Sequence, residues 1–97
     1  MKKGYWVVVY RSISDDSAVK AYGALAVPAL QPFGGRFLIR STGQLQAHEA
    51  GMQQRVVVVE FDSYEKATAA YESAAYKKAL QALGSGAERD FRIVEGV

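Results

Sequence analysis

Apolar and polar positions divide the chain into four short strand-like runs and two stretches of helical period. Tyr5-Trp6-Val7-Val8-Val9-Tyr10 is β-branched and aromatic, bounded by Gly4 and the polar stretch Ser12 to Asp16, which predicts a strand. Val19, Tyr22, Ala26, Leu30 and Phe33 then recur at spacings of three and four, as a one-sided amphipathic helix requires. Asp15 is the expected N-cap, with Ser14 as a rival. Pro28 removes the amide that would bond to the Ala24 carbonyl, so a kink or looser turn is expected there. Pro32 and the pair Gly34-Gly35 stop the helix.

Arg36-Phe37-Leu38-Ile39-Arg40 predicts a second strand, and Ser41 to Gln54 a long connection or extended hairpin arm. Arg55 to Phe61 holds four consecutive valines and predicts the third strand. Asp62 and Glu65 have capping-box spacing for a second helix. That helix carries Ala67, Ala70 and Tyr71, restarts at Ser73, continues through Tyr76, Leu80 and Leu83, and ends at Gly84 and Gly86. Arg89 to Glu95 is the last strand.

The order β-α-β-β-α-β is that of a ferredoxin-like, α+β fold: a four-stranded antiparallel sheet with helices on one face. Residues 1–97 make a single domain. In this topology the first and third strands are central. Here those two are the Val-rich ones, while the Arg-bearing second and fourth suit the edges.

Strand side chains alternate between faces. Val57, Val59 and Phe61 are grouped with Phe37, Ile39, Phe91, Ile93, Val7 and Val9 as the set expected beneath the helices. The opposite set is a Val, Leu and Trp centre ringed by charge: Trp6, Val8, Tyr10, Arg36, Leu38, Arg40, Val56, Val58, Glu60, Asp90, Arg92 and Val94. Five aliphatic residues there, at roughly 1.5–3 kcal/mol each if fully buried, are more apolar surface than one chain exposes idly. A homodimer packed sheet face to sheet face is expected. A monomer with an amphipathic outer face is the alternative.

Gly4-Tyr5-Trp6, Gly34-Gly35-Arg36-Phe37-Leu38, Arg55 to Phe61, Tyr71-Glu72-Ser73, Tyr76 and Arg89 to Gly96 follow one another along the whole chain. This series resembles a small bacterial family of uncharacterised proteins, a domain of unknown function within the dimeric α/β-barrel superfamily. Pro28 falls where that family tends to carry a mid-helix proline. Two departures are Ala74, where the family often has proline, and the polar segment Gln44 to Gln54. The resemblance implies the fold and the dimer and no established activity.

Composition narrows the function classes. The apolar fraction is 49%, which excludes a disordered chain. Net charge is only +2, and Lys2-Lys3 and Lys77-Lys78 are the longest basic runs. That is too sparse for a phosphate-tracking surface, and the third strand lacks a basic-aromatic RNA-reading motif. No nucleic-acid partner is expected. Cysteine is absent, so thiolate chemistry and thiolate metal sites are excluded. The apolar run after Met1-Lys2-Lys3 is closed by Arg11, too short for a secretory core. No segment could span a bilayer, so no membrane partner is expected and the cytoplasm is the default location.

Candidate chemistry is sparse. Trp6, Tyr10 and Tyr22 could line a pocket for a flat or carboxylated molecule, with Arg36, Arg40 and Arg92 supplying fixed positive charge. Glu60 and Asp90 are candidate partners of those arginines and weak catalytic candidates, as is His48, the only histidine. The same groups would equally serve as interface ion pairs. No Ser-His-Asp set, nucleophile elbow, phosphate loop or metal-ligand spacing occurs. No metal or cofactor is expected. Two function classes follow: a homodimer binding or transforming a small molecule in an inter-sheet cavity, or a non-catalytic dimeric accessory or stress-related module. Whether the chain is an enzyme is left open.

Overall fold

A computed structural model describes residues 2–41 and 43–97. Met1 in the leading segment and Thr42 in the connection after the second strand lie outside the described residues. The elements are β1 (Gly4–Ile13), α1 (Asp16–Leu30), a 3-10 turn (Gln31–Phe33), β2 (Arg36–Arg40), β3 (Val56–Phe61), α2 (Tyr64–Glu72), α3 (Ala74–Leu83) and β4 (Ala87–Glu95). The sheet order is β2-β3-β1-β4, antiparallel throughout. The Val-rich strands are central, as their composition requires. No helix among the described residues is long and apolar enough to cross a membrane.

Helix boundaries follow local chemistry. The Asp15 carboxylate accepts from the amides of Ser17 and Ala18 and so caps α1. Pro28 stays inside α1, which continues to Leu30 before tightening into the 3-10 turn at Pro32. Gly34 closes that turn at φ 72°, a left-handed conformation that suits glycine. Ser73 is extended at ψ 151°; its hydroxyl donates to the Ala70 carbonyl and accepts from the Tyr76 amide, ending α2 and starting α3. The capping box at Asp62 is corrected: Ser63 caps α2 by accepting from the Lys66 amide. Asp62 instead pairs with Arg36, Lys3 and Lys66. Among its described residues, the segment between β2 and β3 has no regular strand. A turn from His48 to Gly51 and a bond from the Gln53 amide group to the Leu45 carbonyl shape it.

The face assignment of β1 is reversed from the sequence expectation. Trp6 and Val8 pair with Val59 and Val57, and Trp6, Val8 and Tyr10 are buried beneath the helices. Val7 and Val9 lie on the other face, beside Val58 and Val56. A run that is apolar at both parities carries no phase of its own. Gly4 supplies it. It sits opposite Phe61, and a Cβ at Gly4 would lie 2.5 Å from the Ser63 carbonyl oxygen, so α2 can close over β1 only at this parity. Trp6 then donates its indole N–H to the Ala67 carbonyl at 2.8 Å and packs on Phe61, Tyr76 and Phe91.

A bulge in β2 makes the second correction. Phe37 pairs with Val59, but Ile39 rather than Leu38 pairs with Val58, and Arg40 with Val57. The extra residue turns Ile39 outward and Arg40 inward, against the expectation for both. The face away from the helices therefore carries Val7, Val9, Val56 and Val58, with Leu38, Ile39 and Val94 at 55, 46 and 41% exposure.

Candidate functional site

A cavity of about 450 Å³ opens between α1 and the helix side of the sheet. Its position follows from small side chains and a proline in α1: Gly23, Ala24, Ala26 and Pro28 line it, leaving room that larger side chains would fill. Trp6, Val8, Tyr10, Val57 and Val59 form the floor. The expected placing of Trp6 and Tyr10 on the open face is thus corrected: with β1 in its true phase, these aromatics lie inside the subunit.

Arg40, Arg55 and Arg89 reach this cavity, together with Lys20, and no carboxylate lines it. The Arg40 guanidinium stacks on Phe37 at 4.7 Å, and Arg55 lies 5.8 Å from the centre of the Tyr10 ring. Arg89 stands over Tyr10, Tyr22 and Phe91 at 5.5, 4.7 and 5.3 Å. None of the ion pairs among the described residues involves these three arginines. The Arg55 Nε–H is buried without a hydrogen-bond partner. A polar group left so in a largely apolar cleft loses its hydration and gains nothing in return. The arrangement suits an anion.

Behind this wall the Tyr22 and Tyr76 hydroxyls meet at 2.6 Å, and Arg89 donates to the Tyr22 hydroxyl at 3.1 Å. Burial, with the neighbouring Tyr22 hydroxyl, pushes the Tyr76 phenol well above its ordinary pKa. Burial opposes the charge on Arg89, but the two tyrosine hydroxyls outweigh it and raise the guanidinium pKa. Arg89 is a permanent cation held in a partly dry wall.

The sequence candidates are therefore divided. Trp6, Tyr10, Tyr22 and Arg40 gather at the cavity. Arg36, Glu60, Asp90 and Arg92 occupy the opposite face. There Arg36 donates to Glu60 at 3.0 Å and Asp62 at 3.1 Å, and the Tyr5 hydroxyl donates to Glu60 at 2.9 Å. The Tyr5 bond and then Arg36 lower the Glu60 pKa, and Arg36 lowers that of Asp62. Arg92 pairs with Asp90 two residues away, lowering the Asp90 pKa. His48 sits in an exposed loop, 2.9 Å from the Gln46 side-chain oxygen and away from the cavity. Arg55, Arg89 and Tyr76 are the site residues that sequence reasoning missed. The signal was parity: Arg55 extends the Val57, Val59, Phe61 series, and Arg89 extends Phe91 and Ile93.

Solved structures share this fold at low identity. A protein of unknown function from Rhodopseudomonas palustris superposes with a TM-score of 0.77 at 14% identity, over 99% of this chain and 83% of that one. A putative antibiotic biosynthesis monooxygenase from Nitrosomonas europaea matches with 0.64 at 19%, over 100% and 93%. A dimeric ferredoxin-like protein of unknown function from Thermobifida fusca matches with 0.60 at 16%, over 99% and 92%. No curated protein matches in sequence. The model of a domain of unknown function, DUF1330, matches residues 3–97, nearly the whole chain, and the chain belongs to that family.

Proposed function

We propose that the protein is a homodimer that binds a small aromatic or carboxylated molecule in the cavity beneath α1 of each subunit. The observation that carries this reading is charge: Lys20, Arg40, Arg55 and Arg89 face a cleft of about 450 Å³ without one carboxylate. Its volume lies in the range of small-molecule sites, and its aromatic floor suits a planar ligand. Trp6, the single tryptophan, belongs to that floor and reports on occupancy by its fluorescence. Titration with benzoate and 2-naphthoate should quench or shift that emission and raise the melting temperature. An Arg40→Ala, Arg55→Ala double variant should weaken both responses. Absence of any response to either acid overturns the reading.

The dimer rests on the second face. Val7, Val9, Val56 and Val58 form an apolar strip on the side without helices, ringed by the Arg36–Glu60 and Arg92–Asp90 pairs. The Thermobifida fusca protein of the same fold is described as dimeric. Light scattering should give twice the subunit mass of 10.6 kDa. A mass of one subunit at micromolar concentration rules the dimer out.

A further inference from the structure

The cations of the cavity are not spread evenly. Strand order puts Arg40 and Arg55 on one side of Tyr10 and Arg89 on the other. Tyr10 faces Arg89 across β1 and β4, and its amide donates to the Arg55 carbonyl, so the three residues form one row. Two strand spacings separate the ends of that row, about 10 Å of backbone. The two ends differ in company. Arg40 stacks on the Phe37 ring and Arg55 keeps a buried, unpartnered Nε–H, whereas Arg89 is tied to the Tyr22 hydroxyl.

That hydroxyl is polarised from behind. Tyr76 is fully buried and does not line the cavity, and its hydroxyl reaches the Tyr22 oxygen at 2.6 Å. With Tyr76 donating, the Tyr22 oxygen accepts from a phenol and from a guanidinium at once, and its own proton is left for the cavity that Tyr22 lines. Such a chain strengthens the last donor. A donor of this kind, beside a guanidinium, best meets an oxygen that carries negative charge.

We propose that the ligand is an aromatic acid with a second, ionisable oxygen, a hydroxyaryl carboxylate, held as a dianion. This deepens the small-molecule reading above and rests on it. The carboxylate lies at Arg40 and Arg55, the ring lies along Tyr10, and the second oxygen lies at Tyr22 and Arg89. On ionisation the ligand O–H bond breaks, its proton passes to solvent, and the electron pair stays on the oxygen. Arg89 from β4 is the charged group at that oxygen. The other charged groups lining the cavity, Lys20 from α1, Arg40 from β2 and Arg55 ahead of β3, are also cations, so none opposes ionisation. Behind Tyr22, burial keeps the Tyr76 phenol protonated.

4-Hydroxy-3-nitrobenzoate is the probe, because its phenolate absorbs in the visible. Bound to the dimer and titrated between about pH 5 and 9, its phenol should ionise at least one pH unit lower than in buffer, a tenfold shift. Tyr22→Phe, checked for folding by circular dichroism, should keep binding within a few-fold and lose most of that shift. Arg40→Ala or Arg55→Ala should weaken binding about tenfold or more and keep the shift. A bound probe with an unshifted phenol, or a Tyr22→Phe protein with the full shift, overturns this inference while leaving the pocket intact. If neither this acid nor 3-nitrobenzoate binds, the pocket reading falls and takes this inference with it.

Discussion

The Tyr22 hydroxyl on α1 stands 2.6 Å from the Tyr76 hydroxyl on α3, their rings edge to face at 5.9 Å. The pair ties together two of the three helices that roof the sheet, at the wall of the cavity. Tyr76→Phe removes one side of that bond while the ring stays in place. The expected cost is about 1 kcal/mol, or about 4–8 °C in melting temperature for a domain of this size. Differential scanning calorimetry checks it; an unchanged transition would mean the bond contributes nothing net.

Gly4 is a second test, because its missing Cβ sets the parity of β1. Gly4→Ala places a methyl group 2.5 Å from the Ser63 carbonyl oxygen and 2.6 Å from the Tyr64 Cα. Neither is a flexible side-chain tip, so α2 must shift. Destabilisation of about 1–3 kcal/mol is expected, measured as a lower urea midpoint. A variant as stable as the parent would show that α2 has slack there.

Acid should loosen the ion-pair network on the open face. Glu60, Asp62 and Asp90 all have folded-state pKa values lowered by hydrogen bonds to Tyr5, Arg36 and Arg92. A carboxylate with a lowered folded pKa binds fewer protons folded than unfolded. Its stabilisation is complete above the unfolded value, about 4, and is lost as pH falls through the folded value. Melting temperature should therefore decline below about pH 4, and Glu60→Gln should flatten that decline. Equal acid sensitivity in the variant would remove Glu60 from the account.

The open face offers the sharpest test of assembly. Val58 pairs with Val7 at the centre of the sheet, away from the helices. Val58→Asp puts a charge where the proposed partner's sheet would lie, and an unpaired buried charge there costs several kcal/mol. Light scattering should move from two subunits to one, with the far-ultraviolet circular dichroism unchanged. A variant that remains dimeric locates the interface elsewhere.

Element order, central strands, the Asp15 cap and the helix restart at Ser73 were legible in the sequence because each rests on local chemistry. A proline, a glycine pair or a capping oxygen acts on its own neighbours. Facing was not legible. Tyr5 to Tyr10 is apolar at every position, so alternation leaves two answers, and only the approach of α2 to Gly4 selects one. Trp6, Tyr10, Tyr22 and Arg40 do gather at one cavity, but on the side of the sheet opposite to the one alternation suggests. Arg55 and Arg89 went unnoticed because a charged residue at a strand end reads as solvated until a helix is seen to roof it.

The bulge at Leu38 has a bearing on how subunits can add to one another. β2 is an outer strand of the sheet, with one row of backbone groups unpaired in the single chain. A straight, flat rim of that kind invites further strands and open-ended fibres. The additional residue between Phe37 and Ile39 bends the rim and breaks its rhythm. Lateral growth is hindered at that edge, which favours the proposed closed pairing through the valine strip.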